Sequence, residues 1–444
     1  MDNLDHSIAL TSKRSAPLLI DRSQALVEAR RCLYCHDAPC IQACPVHIDI
    51  PGFIKRLAEE NLGGSYDLLV DRNPLATVCG LVCPTADLCE GACVVSGLGQ
   101  SPIRIGALQY FVASMFQHPE PVVEERDSGR RVAVVGGGPS GLGCAVALRR
   151  LGHEVHLYEA ASSLGGLVNQ VVPAYRLPQQ VVDRDLARLE QLAITFHLGT
   201  EIDTSVMEKI VQEYDAVFLG IGLRASKGFA VPGVELSGVV PALDFLEQVR
   251  LYARGETSCP GLGETVVVVG GGNVALDAAV VAKHLGAERA IVLYRRTMEE
   301  MPAWRSEYLE AVSLGVEFRW LSIPRAMRGA DGKVQAVEVQ PMRRTGVQED
   351  GRRGVEPDPR TPSYELSCDS VLVALGQALD ARLAATLGLS LTAEGTILAD
   401  PETFQTDYPK VFAAGEATSG GSTVVASLAK GMEAGHAIHR WLSR

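Results

Sequence analysis

The sequence predicts an α/β chain of two glycine-turn folds, one set inside the other, behind a helical region rich in cysteine. Three observations predict it. The stretch RVAVVGGGPSGLGCAVALRRLGHEVHLYEA, Arg131 to Ala160, reads as strand, glycine turn, helix and strand. The stretch TVVVVGGGNVALDAAVVAKHLGAERAIVLYRR, Thr265 to Arg296, repeats that order. Ahead of both, eight of the eleven cysteines fall between Cys32 and Cys93, so they belong to one local device. The expected organisation is a helical domain over 1–117, a proline-rich charged linker over 118–130, and an outer fold over 131–260 and 377–444. The inserted fold is expected over 261–376.

At 444 residues, the chain has room for two to four domains and a sizeable core. A formal charge of −12 argues against nucleic-acid and anionic-membrane surfaces, both of which need clustered Lys and Arg. The opening residues carry no charged-then-apolar signal pattern. The apolar run near Val266 is broken by glycines, Asn273 and Asp277, so it is not read as a membrane span. A cytoplasmic, reducing compartment is therefore expected. There, clustered cysteines point to metal ligation or catalysis rather than to disulfides.

Ser23 to Arg30 reads as a weak helix with Ser23 as a candidate N-cap, Ile50 to Asn61 as an amphipathic helix, and Asn73-Pro74 as a turn. The cysteines form two runs. The first is Cys32, Cys35, Cys40 and Cys44 followed by Pro45; the second is Cys79, Cys83 followed by Pro84, Cys89 and Cys93. Such spacings suit two four-iron clusters of the ferredoxin type. Two zinc sites use the same residue types. The Cys-Pro pairs and the nucleotide folds downstream favour electron transfer. His36 and His47 read as loop residues among better thiolate ligands.

The segments CLYCHDAPCIQACPVHIDIPGFI, NPLATVCGLVCPTADLCEGAC and PIRIGALQYF resemble the N-terminal half of dihydropyrimidine dehydrogenase. The chain as a whole is similar to the bacterial PreT-type subunits that correspond to that half. The resemblance implies that the ligands of two [4Fe–4S] clusters interleave along the chain. One cluster takes Cys32, Cys35, Cys40 and Cys93. The other takes Cys44, Cys83, Cys89 and Gln109, which leaves Cys79 without iron. Spacing alone groups Cys79 with its neighbours and assigns Gln109 no role.

In the outer fold, Gly136, Gly138 and Gly141 form G-x-G-x-x-G, with Pro139 and Ser140 opening the helix. Glycines there permit a tight turn and the approach of a pyrophosphate to the helix N-terminus. Glu159 stands 23 residues after Gly136, where an acid hydrogen-bonds a ribose. The resemblance implies FAD at this site. It also implies that Gly165-Gly166-Leu167 and the Arg176-Leu177-Pro178 segment wrap the flavin, with Arg176 offsetting flavin or phosphate charge. Tyr214 to Gly222 reads as the returning strand. Val411 to Glu416 reads as the closing strand, with Gly415-Glu416 where flavoproteins usually carry Gly-Asp. A helix from Thr423 to Trp441 then places its positive N-terminal end toward the isoalloxazine.

In the inserted fold, Gly270, Gly272 and Ala275 form G-x-G-x-x-A, with Asn273 and Val274 between. Where Glu159 stands in the first repeat, this one carries Arg295 and Arg296. Guanidiniums in place of an acid suit a 2′-phosphate, so NADPH is expected, with NADH as the alternative. Glu299 and Glu300 follow closely and compete for an arginine. Residues 328–362 read as an exposed hairpin or loop. The strand near Val371 ends on Ala374, Leu375 and Gly376, a candidate nicotinamide contact.

The expected function is an electron-transfer subunit. A hydride carries two electrons and a cluster accepts one, and a flavin converts between them. No side chain is singled out as acid, base or nucleophile. Cys144, Cys259 and Cys368 form no adjacent pair, which disfavours a disulfide reductase. The resemblance implies a heteromer with a PreA-like FMN/iron–sulfur subunit that reduces uracil or thymine, since no pyrimidine-binding portion is present here. The alternatives are a glutamate synthase small subunit and a ferredoxin–NADP oxidoreductase subunit. The compact Cys-Pro-x-x-Cys and the glutamate usual in glutamate synthase subunits are replaced here by CPTADLC and Gln109.

Overall fold

The computed structural model describes residues 19–116, 128–347 and 353–444. Most of the expected 118–130 linker lies outside the described residues. The chain divides into two compact units. Among the described residues, one holds 19–116, 128–169, Arg176–Arg224 and Ala378–Arg444; the other holds Gln170–Tyr175, 225–347 and 353–377.

The first unit opens with short helices, three of them capped by the side chain just before their first residue. Arg22–Ala29 begins at Asp21, not Ser23: Asp21 Oδ1 accepts from Gln24 N at 2.8 Å, and Gln24 Oε1 accepts from Asp21 N at 3.1 Å. This reciprocal box satisfies two helix-end donors at once, which Ser23 cannot do from inside the first turn. After the single turn Pro39–Gln42 comes helix Ile50–Ala58, started by Asp49, and its buried Ile50, Phe53, Ile54 and Leu57 make one apolar stripe. It stops before Asn61, because the Asn61 side chain caps the following helix Leu62–Arg72 by accepting from Gly64 N at 3.0 Å. Asn73 Oδ1 accepts from Leu75 N at 3.0 Å, which makes the expected turn. The cysteine-bearing helix Ala76–Val82 then packs on Ile105–Met115. A Cβ on Gly80 would lie 2.8 Å from Tyr110 N, so only glycine lets these backbones meet.

The same unit carries a five-stranded parallel sheet in the order Val411–Ala413, Ala216–Leu219, Arg131–Val135, Glu154–Tyr158, Thr195–His197. The returning strand is therefore shorter than the Tyr214–Gly222 run that the sequence suggests. Helix Pro139–Arg150 follows the glycine turn and packs on the last helix, Val424–Leu442. Glycines bring these helices together: a Cβ on Gly143 would lie 2.4 Å from Leu428 O, and one on Gly431 would lie 1.9 Å from Ser140 O. Cys144 is fully buried in this seam as a small packing residue.

The second unit has its own parallel sheet, ordered Val239–Pro241, Ser370–Val373, Thr265–Val269, Arg289–Tyr294, Glu317–Trp320. It starts at Ala225 rather than at residue 261. The reason is that Val239–Pro241 pairs with Ser370–Val373, making it an edge of this sheet. Gln170–Tyr175 also belongs here: Tyr175 Oη donates to Asp277 Oδ1 at 3.0 Å, and its ring meets His284 edge-on.

Of the two readings of 328–362, the hairpin is the one observed, within a larger sheet. Ser322–Ala330, Lys333–Val347, Arg353–Pro357 and Tyr364–Ser367 form a four-stranded antiparallel sheet, with 348–352 outside the described residues. Val337 and Val339 alternate inward and are fully buried against Val267, Val269, Ile291 and Leu293. Glu338 between them is half-buried and pairs with Arg325 at 3.4 Å and with Arg328. No helix among the described residues is long and apolar enough to cross a membrane.

Candidate cofactor sites

Cys32, Cys35, Cys40 and Cys93 line one pocket with Leu33, Ile54 and Val94. Its empty space is about 370 Å³, part of it open to solvent. Cys93 is brought there by the turns after Ala76–Val82, although it lies far along the chain from the other three. Burial and the neighbouring thiols push the Cys40 thiol up to about 11. Burial likewise raises Cys32, with Cys35 and Cys93 adding to it. Four thiols gathered around one space form a donor set that a cation would stabilise as thiolates. The residues present fit an iron–sulfur cluster.

A second group gathers beside it. Cys83 is half-buried, and its thiol is raised first by a hydrogen bond with Cys79, then by burial and by Cys89 and Cys44. Burial, then the Glu90 carboxylate and Cys44, raises Cys89. Burial also raises Cys44. Gln109 is buried in Ile105–Met115 and donates from Nε2 to Ala76 O at 2.8 Å. Cys79 is also buried here, in contact with Cys83. Sequence reasoning missed Glu90, which accepts from Gly106 N at 2.9 Å beside Cys89. Nothing in the spacing of a lone glutamate signals that role.

The outer nucleotide site is built on Gly136, whose φ of +105° is open to glycine, and on Gly141. A Cβ on Gly141 would lie 1.8 Å from Gly136 O, so the helix rests directly on the turn. Gly138 is the contrast. A Cβ there would approach only Gly166 Cα, at 3.9 Å, so the space over the helix N-terminus is open for a phosphate. Pro139 opens that helix. Glu159 accepts from Gly137 N at 2.7 Å through one oxygen and from Ala161 N at 2.8 Å through the other. Each oxygen retains a lone pair for a ribose hydroxyl. Gly165 N donates to Gly137 O at 2.8 Å, which lays the Gly165-Gly166 turn against the first, and Leu167 starts a short helix after it. Ser140 Oγ donates to Ala414 O at 3.2 Å, and Gly415 presses on Ser140. Glu416 accepts from Ser422 N at 2.9 Å, and burial raises its carboxyl. Thr423 caps the last helix by accepting from Ala426 N at 3.2 Å. Arg176 is buried. Open space over a helix end fits a dinucleotide.

The inserted fold repeats this geometry. A Cβ on Gly270 would lie 2.3 Å from Ala374 O, whereas Gly272 has nothing within 4 Å. Ala275 is fully buried under the helix, Val274 lies beside it, and Asn273 Oδ1 accepts from Trp304 N at 3.0 Å. Leu375 is exposed, and Gly376 O accepts from Lys227 N at 3.0 Å. The two arginines part company. Arg295 is exposed. Arg296 is only 5% exposed, and its Nε donates to Arg353 O at 3.1 Å. Sequence reasoning offered both guanidiniums to a phosphate; the antiparallel sheet takes one of them. The acids do not divert the other. Glu299 pairs with Arg344 at 3.2 Å, and Glu300 accepts from Thr297 N at 3.3 Å and Arg353 N at 3.2 Å.

Comparison with known proteins identifies the family. Residues 11–120 match the family described as dihydropyrimidine dehydrogenase domain II, 4Fe-4S cluster. Residues 130–431 match pyridine nucleotide-disulphide oxidoreductase. The chain is 35% identical to the NAD-dependent dihydropyrimidine dehydrogenase subunit PreT of Escherichia coli K12, over 94% of each chain. It is 33% identical to the glutamate synthase [NADPH] small chain of Halomonas elongata, over 94% of this chain and 91% of that one. Among solved structures, FprA from Mycobacterium tuberculosis shares the fold with a TM-score of 0.61 at 18% identity, over 71% of this chain and 85% of that chain. The chain therefore belongs to the PreT- and glutamate synthase small-chain-like family of NAD(P)H-dependent flavin and iron–sulfur oxidoreductases.

Proposed function

We propose that this chain is the NADPH-oxidising subunit of a heteromeric dihydropyrimidine dehydrogenase, passing electrons through FAD and two [4Fe–4S] clusters to a PreA-like partner that reduces uracil or thymine. The observation that carries the reading is Gln109. It is buried in the helix packed on Ala76–Val82, at the position where the resemblance to dihydropyrimidine dehydrogenase implies a glutamine ligand. Cys32, Cys35, Cys40 and Cys93 would hold one cluster, and Cys44, Cys83, Cys89 and Gln109 the other. Bound flavin supplies conversion of a two-electron hydride into single electrons. The protein holds the dinucleotides: Gly138 and Gly272 leave backbone N–H groups open to pyrophosphate, and Glu159 orients a ribose. Arg295 selects the 2′-phosphate.

The test uses the purified chain with NADPH. It should reduce ferricyanide alone and reduce uracil only after a PreA-like subunit is added. Uracil reduction by the isolated chain would overturn the division of labour. The second reading, a glutamate synthase small subunit, is supported by the Halomonas relative. It predicts instead that a glutamate synthase large subunit restores NADPH-dependent glutamate formation.

A further inference from the structure

Helix Ala76–Val82 carries Cys79 and ends on Cys83, yet its own N-cap is Leu75, which offers no side-chain acceptor. The first N–H groups of a helix need partners. Val78 N finds one 107 residues away, donating to Asp185 Oδ2 at 2.9 Å. Asp185 is 2% exposed and lies on helix Gln179–Leu189, which follows the Arg176-Leu177-Pro178 segment directly. One turn on, the buried Arg188 donates to Tyr66 Oη at 3.1 Å and to Pro74 O. One helix thus holds the start of the cysteine helix through an acid and the turn before it through a base.

A buried acid and a buried base are a poor source of stability compared with apolar packing, because both groups must leave water. What they supply is a fixed register, since each group is satisfied in only one arrangement. Electron transfer falls steeply with distance, so register between a flavin-binding segment and a cluster-binding segment bears directly on rate. Resting on the functional reading above, we propose that Asp185 and Arg188 are positioning residues for electron transfer. They clamp the Cys79–Cys83 segment, and with it the cluster held by Cys83, onto the flavin-binding part of the same unit. NADPH oxidised to NADP⁺ and a proton releases two electrons, and a cluster held by Cys83 would accept them one at a time.

The experiment compares wild type, Asp185→Asn and Asp185→Ala as purified holoproteins. Iron and flavin per chain, amide exchange at Val78, the EPR signal of the reduced clusters, and stopped-flow rates of flavin and cluster reduction are measured. In Asp185→Ala, Val78 should exchange at least about tenfold faster, as expected for loss of one cap hydrogen bond to a charged acceptor. Cluster reduction should slow by a similar factor, while flavin reduction by NADPH changes less than about twofold. If Asp185→Ala loses iron and flavin together, Asp185→Asn carries the test. It keeps one acceptor oxygen and should shift the EPR signal of one cluster only. Wild-type cluster reduction and EPR signals in a variant with full iron would overturn the clamp. Wild-type protein lacking iron would instead overturn the functional reading itself.

Discussion

Nicotinamide choice tests the site most directly, because the structure separates two arginines that are adjacent in sequence. Arg295 is exposed on the loop after the second strand of the inserted fold, whereas Arg296 is tucked under the antiparallel sheet with its Nε on Arg353 O. Of the two, Arg295 is the exposed one, and it is the residue to which the proposed function assigns the 2′-phosphate. A charged hydrogen bond contributes about 1.5–3 kcal/mol. Solvent around Arg295 puts it at the lower end, so Arg295→Ala should lower kcat/KM for NADPH by about tenfold, at about 1.4 kcal/mol per factor of ten. NADH should lose less than about twofold, since it lacks the phosphate. Arg296→Ala should leave the NADPH-to-NADH ratio near wild type and lower stability by about 1 kcal/mol through the lost backbone contact. Steady-state kinetics with both cofactors and a denaturant titration measure this. Equal losses with both cofactors in Arg295→Ala would refute the argument. So would a selective loss of NADPH activity in Arg296→Ala with Arg295→Ala silent.

Three further outcomes are expected. Gly141→Val should abolish flavin binding, because its Cβ would lie 1.8 Å from Gly136 O; retained stoichiometric flavin absorbance would contradict the site. Anaerobically purified chain should carry about eight irons if both sites hold four-iron clusters, and Cys83→Ser about half of that. Cys79→Ser should keep its iron, and loss of iron there, with none lost in Gln109→Ala, would reverse the ligand assignment. Burial lowers the imidazoles of His153, His197 and His436 below the ordinary value of 6.5. The unfolded chain therefore binds more protons, and the stability these groups supply is present above pH 6.5 and lost as pH falls through their folded values. Denaturation midpoints should drop between about pH 7.5 and about pH 5.5, and His153→Asn should flatten the drop; an unchanged wild-type midpoint would count against it.

Both parallel sheets and both nucleotide turns were legible in the sequence because their requirements are local. Gly136 needs a positive φ, Gly141 must accept a carbonyl where a Cβ would stand, and a run such as Val266 to Val269 suits a strand covered on both faces. The cysteine runs announced metal chemistry for the same reason, since residue type and short spacing define a ligand set. Spacing alone left Cys93 with Cys79, Cys83 and Cys89. The folded chain turns it into the pocket of Cys32, Cys35 and Cys40. Tertiary structure alone decided that Asp185 caps a helix far from it in sequence, that Gln170–Tyr175 joins the inserted unit, and that Arg296 is withdrawn from the nucleotide loop. Each of these depends on which distant backbone groups lack a partner once the elements have packed. A buried amide or carbonyl recruits whatever side chain the fold brings within reach, and no local pattern marks that side chain beforehand.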